Sequence, residues 1–287
     1  RLEFIICNTI QMHQMLALQR NPEFMLDPSE LARFKECVAG YPDARSFFVE
    51  KLEEGIMRLA ASVWPNPIIV RFSDFKTNEY RRLLGGRHFE PKEENPMLGW
   101  RGASRYYDAR YRAAFEKLEC AALLSARKKG FTNIKAMIPF VRSPEEAKKT
   151  LEIMESSGLS RGEGGFEVYC MAELPHNVIC LEDLAPFFDG FSIGSNDLTQ
   201  LTYGIDRDSG DLAHIADERH SAVRRLIAMA IEKAHACGKP IGICGQAPTK
   251  YSEYARFLVE CGIDSISVQA DAIPATIKNV HEAEQNR

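Results

Sequence analysis

Short apolar runs alternate along this chain with longer amphipathic stretches, which is the rhythm of strands and helices in a parallel α/β protein. Runs over 1–6, 66–72, 134–141, 166–172, 191–194, 240–244 and 265–268 read as strands, and 96–101 reads as a strand or a substitute for one. Pro65 and Pro67 announce the run at 66–72. Amphipathic spacing predicts helices over 106–129, 143–157, 218–237, 250–261 and 272–284. Ser143 and Pro144 mark a helix start, and Gly238 and Gly262 mark helix ends. The polar segment 8–62 also reads as helical, with Leu52, Ile56, Leu59 and Val63 at helical spacing. It is longer than a crossover between strands needs, so it reads as an insertion. Gly-rich 160–165 has no phosphate-cradle spacing and reads as a loop. Eight strand candidates in about this length suit a (β/α)8 barrel. Periodicity alone leaves an open doubly wound sheet as the alternative.

The stretch FSIGSNDLTQL, 191–201, concentrates the candidate chemistry. A short apolar run stops at Gly194-Ser195-Asn196-Asp197 and hands over to a helix that Asn196 or Asp197 is expected to cap. Such a junction presents backbone N–H groups and a carboxylate at one point, which suits an anion carried with a divalent cation. A capped strand–turn–helix connection with no ligand is the plainer reading. Glu173 ends the preceding run, so two carboxylates fall on one edge of neighbouring parallel strands.

Composition narrows the class. Of 287 residues, 45% are hydrophobic and 26% charged, and the net charge is −4 without a basic run, which argues against a nucleic-acid surface. No apolar run reaches the length of a membrane span and no signal peptide is present, so no membrane role is expected. The eight cysteines have no metal-finger spacing and read as reduced thiols of a cytoplasmic protein. The chain opens strand-like at Arg1 without an initiator Met, which suggests part of a longer one.

FSIGSNDLTQL, with NPMLGWRGASRYYD and GICGQAP, resembles the phosphoenolpyruvate-utilising enzymes, and the resemblance runs from Arg1 to about Val268. It implies the barrel, as one domain over 1–287 with the helical insertion after its first strand. Within the family, RFSDFKTNEY from Arg71 and Cys244-Gly-Gln are most similar to the branch that makes phosphoenolpyruvate from pyruvate, ATP and water. The branches that use inorganic phosphate or feed sugar phosphotransfer have Cys-Gly-Glu at the second motif. A non-catalytic barrel that binds phosphoenolpyruvate as a signal is a further alternative.

The resemblance implies a role for each matching residue. Arg1 and Arg71 would hold the phosphoryl group, with Arg101 and Arg207 around it, because the guanidinium fork fits phosphate. Glu173 and Asp197 would ligate Mg²⁺, which takes one or two carboxylates and completes its shell with water and substrate oxygens. Backbone at Gly194, Ser195 and Asn196, with the Asn196 amide, would hold the carboxylate and enolate oxygens. Cys244 would be the general acid–base group on the methylene carbon, since a thiol with a pKa of about 8.5 is mostly protonated at neutral pH. A buried apolar thiol is the expectation for most of the other seven cysteines. No ATP-binding segment and no carrier-type histidine context occur, so the implied partners are pyruvate or phosphoenolpyruvate and a phosphohistidine domain of the same full-length enzyme. Upstream ATP-binding and phosphohistidine domains are expected, with a homodimer as a candidate assembly.

Overall fold

Six of the seven runs after residue 65 become strands: β1 (Ile68–Arg71), β2 (Ile134–Ile138), β3 (Val168–Ala172), β4 (Gly190–Gly194), β5 (Ile241–Cys244) and β6 (Ser265–Ser267). These belong to a parallel sheet whose strand order follows chain order, with helices in the connections, so the fold is α/β. The computed structural model describes residues 1–206, 210–245 and 247–285. Among the described residues the sheet has six strands where eight were expected.

The two missing strands have physical reasons. The run at 1–6 is helical, Leu2–Ile5 continuing into a π-helical turn at Ile6–Ile10. Leu2, Ile6 and Ile10 are buried at four-residue intervals while Phe4 is 63% exposed, so the pattern is helical once the window is extended past Ile6. The run at 96–101 is a turn, followed by a helix at Ala103–Tyr107. Pro96 has no N–H for a ladder, and Gly99 and Gly102 interrupt the run.

The chain divides into two compact units, the first comprising Arg1–Val141 with Glu145–Val168 and the second the rest. In the first unit, helix Ala44–Val63 is capped by Asp43, whose carboxylate accepts the Ser46 N–H at 2.7 Å. Its buried stripe is Phe48, Leu52, Ile56 and Ala60, while Leu59 and Val63 lie on the outer face. The 8–62 segment is helical in most of its length, as expected. The expected helix over 106–129 is broken into shorter pieces, with a π-helical turn at Phe115–Cys120 between Arg112–Ala114 and Ala121–Lys128.

In the second unit every residue of β4 and the three apolar residues of β5 before Cys244 are buried. Such unbroken runs belong to parallel strands covered on both faces. Helices Ser221–Ala236 and Ser252–Cys261 bury Val223, Ile227, Ala230 and Ala234, and Tyr254, Ala255 and Leu258. Among the described residues, no helix is long and apolar enough to cross a membrane.

Candidate active site

The C-terminal ends of the strands carry most of the candidate residues, and each unit holds its own set. In the second unit the register pairs Gly194 at the end of β4 with Cys244 at the end of β5, and Ala172 of β3 with Ile193. Glu173, one residue past Ala172, therefore stands beside Gly194. A Cβ on Gly194 would lie 2.6 Å from a Glu173 carboxylate oxygen and 2.7 Å from the Met171 methyl. Only glycine leaves this carboxylate its place.

Helix Ser195–Tyr203 starts directly after Gly194. The expected cap at Asn196 or Asp197 is not what forms: both residues lie inside the first turn and Gly194 is the N-cap, which has no side chain to offer. The positive end of the helix is thus left to Asp197 and to whatever anion the junction meets. Asp197 and Glu173 are both buried, and a carboxylate oxygen of one lies within 4.8 Å of one of the other. Glu173 is fixed from behind, because the Asn177 side-chain oxygen accepts the N–H of Leu174 at 3.0 Å and of Glu173 at 3.3 Å. Ser195 is fully buried and its hydroxyl donates to the Cys244 carbonyl at 3.4 Å.

Cys244 itself is partly exposed. Cys120 and Cys170 are fully buried, and burial pushes both thiols well above the ordinary range. The expectation that most of the other cysteines are buried does not hold, since Cys37, Cys180, Cys237 and Cys261 are half-buried and Cys7 is exposed. These five lie on helices or at helix ends, where partial exposure is free. The position at a strand end is what separates Cys244 from them.

The first unit holds the arginines. Arg71 ends β1, is buried, and pairs with the Glu3 carboxylate. Arg101 is also buried and pairs with both oxygens of Asp74, at 3.1 and 2.6 Å. Its guanidinium also lies 4.0 Å from the centre of the Phe140 ring. Phe140 has φ +51°, a strained conformation, and a Cβ on Gly102 would come within 2.6 Å of the Pro139 carbonyl, so the segment after β2 packs tightly against the residue that follows Arg101. Arg1 is exposed and precedes the first helix, so it is not on the strand expected over 1–6. Arg207 and Gln246 lie outside the described residues.

Behind Arg101 the segment is anchored by an ion pair in the core. Arg105 and Glu90 are joined through both guanidinium and carboxylate arms, and the Arg105 guanidinium sits 4.0 Å from the Tyr80 ring centre and 3.9 Å from that of Trp100. His13 adds a bond of 2.8 Å to Glu90. Burial holds the His13 imidazole below its ordinary pKa. Burial acts to raise the Glu90 carboxyl, but the bonds from His13 and Arg105 outweigh it and hold the group low.

Sequence reasoning missed Asp74, Ser73 and Glu119. The Ser73 N–H and hydroxyl donate to Glu119 at 3.0 and 2.5 Å, and the Tyr111 hydroxyl donates to Glu119 at 3.0 Å. The available signal was Ser73 and Asp74 following Arg71 in the otherwise apolar run IIVRFSDF, and a Glu on the buried side of an amphipathic stretch. Burial pushes Glu119 up to about 7 against these hydrogen bonds. A carboxyl raised on folding favours the folded state fully below its unfolded pKa, and that contribution is lost as pH rises through about 7. Glu119→Gln is therefore expected to lessen the fall in stability between pH 5 and pH 8 by on the order of 1–3 kcal/mol. Denaturant midpoints at the two pH values measure it; an unchanged fall contradicts it.

A family model described as the phosphoenolpyruvate-binding domain of phosphoenolpyruvate-utilising enzymes matches residues 15–285. The chain belongs to this family. The phosphoenolpyruvate synthase of Synechocystis sp. is 54% identical to this binding domain over 289 residues, covering 99% of it and 35% of the relative. That of Aquifex aeolicus is 57% identical over 247 residues, 86% of this chain and 29% of the relative. That of Escherichia coli is 46% identical over 277 residues, 96% and 34% respectively. The domain thus spans about a third of the length of these relatives.

Proposed function

We propose that this domain carries out the pyruvate half-reaction of a phosphoenolpyruvate synthase. The observation that carries the reading is the convergence of Glu173 with Asp197 beside the Gly194–Cys244 register pair, in a chain of this family. The proposed fold is the (β/α)8 barrel as a single domain over 1–287, with ATP-binding and phosphohistidine domains in the remainder of the full-length enzyme and a homodimer as its assembly. The proposed location is the cytoplasm.

Two buried carboxylates with oxygens within 4.8 Å fit Mg²⁺, whose ligands sit at about 2.0–2.1 Å. Glu173 and Asp197 would hold it, and bound there the ion would neutralise charge that develops on the enolate oxygen. In the forward direction Cys244 acts as the thiolate and takes a proton from the methyl carbon of pyruvate, leaving the enolate; in reverse the thiol returns that proton to the methylene carbon. The enolate oxygen then attacks the phosphorus of a phosphohistidine. The new O–P bond forms as the N–P bond breaks, and the histidine keeps the electron pair. The backbone N–H groups of the first turn from Ser195 and the Asn196 amide orient the carboxylate.

Arg71 and Arg101 bind the phosphoryl group in this scheme, together with Arg1 and Arg207. Glu3 and Asp74 fix the planes of two of these guanidinium groups in advance. Arg71→Lys keeps the charge and loses the fork. It is expected to weaken phosphoenolpyruvate by roughly 10–100-fold and pyruvate by less than about threefold, measured by titration calorimetry of the full-length enzyme. Equal losses for the two ligands contradict the assignment.

A further inference from the structure

We infer that Glu119 is a positioning residue for the phosphoryl-binding arginines and acts through Ser73. Ser73 lies between Arg71, which ends β1, and Asp74, which grips Arg101. Every polar group of Ser73 is held by the buried cluster. Its N–H and hydroxyl go to the two oxygens of Glu119, and its carbonyl accepts the Tyr106 hydroxyl at 2.8 Å and the Tyr80 hydroxyl at 3.2 Å. Glu119 is fully buried and sits in the π-helical turn Phe115–Cys120. One extra residue in a helical turn re-aims side chains, and such turns gather at functional sites. Placing a carboxylate among neutral hydroxyl and amide donors is costly. What that cost secures here is the chain direction over Arg71–Asp74, and with it the planes of two arginines.

The inference rests on the reading that Arg71 and Arg101 bind the phosphoryl group, and the experiment separates the two. In the full-length enzyme, Ser73→Ala removes the hydroxyl link. Glu119→Gln leaves one acceptor oxygen where the carboxylate had two. Each is expected to weaken phosphoenolpyruvate binding by roughly tenfold, the scale of one hydrogen bond to a charged group. Mg²⁺-dependent binding of oxalate, a mimic of the pyruvate enolate without a phosphoryl group, should change by less than about twofold. The double variant should be little worse than the weaker single one, because both act on one link. A parallel loss of oxalate and phosphoenolpyruvate binding would mean the cluster is only structural, and unchanged phosphoenolpyruvate binding would mean it positions nothing; either overturns the inference. If Arg71→Lys also spares phosphoenolpyruvate, the reading beneath it fails. If Arg71→Lys weakens phosphoenolpyruvate while Ser73→Ala and Glu119→Gln do not, the failure is confined to Glu119.

Discussion

Replacing Cys244 by serine is expected to cut the exchange of pyruvate methyl protons with deuterated water by roughly 10²–10⁴-fold, the range of general acid–base catalysis. Serine keeps nearly the shape of cysteine, but its hydroxyl is a far weaker acid. Pyruvate and magnesium should remain bound, because Glu173, Asp197 and the first turn of helix Ser195–Tyr203 are untouched. The Cys244 carbonyl, which accepts the Ser195 hydroxyl, is backbone and survives the substitution. The measurement belongs in the full-length enzyme, so that the proposed phosphohistidine domain is included. Binding lost together with exchange would show that the thiol is structural. Exchange preserved at the parent rate would assign the proton to another group.

Removing either Glu173 or Asp197 should be the other large effect. Each variant, to Ala, is expected to lose Mg²⁺-dependent oxalate binding by roughly 100-fold or more, about 3 kcal/mol. Both groups are buried, and Glu173 is pinned beside Gly194 by the bonds through Asn177. Titration of oxalate at several Mg²⁺ concentrations measures the loss, with the thermal midpoint as the check on folding. Unchanged metal-dependent binding in both variants would remove them from the metal site.

The parts of this fold that were legible in the sequence are those where one local pattern decides the outcome. The runs that become β1 to β6 appear at their expected places, five of them trimmed by one to three residues and β4 starting one residue earlier. The Ser195 helix was legible as a helix but not in its first residue, because Gly194 takes the cap position that Asn196 or Asp197 was expected to fill. The run at 1–6 failed for a different reason. Six residues with two adjacent isoleucines fit either period, and only Ile10, four residues past Ile6, reveals the helical one. The placement of Glu173, Asp197 and Cys244 at or just past strand ends was legible, because a strand end followed by small or polar residues is visible locally. Asp74 and Glu119 were not, since their roles depend on partners 27 and 46 residues away, Arg101 and Ser73.

The most direct measurement of the central claim is the reverse half-reaction. Full-length enzyme incubated with Mg²⁺ and phosphorus-labelled phosphoenolpyruvate, without any nucleotide, should release one pyruvate for each phosphoryl group that becomes bound to protein. That label should be acid-labile and alkali-stable, as a phosphorus–nitrogen bond is. The Glu173→Ala variant should leave the protein unlabelled. Phosphoenolpyruvate that binds tightly to the parent enzyme, yet yields neither pyruvate nor phosphoprotein, would contradict the account and leave the domain a binding module.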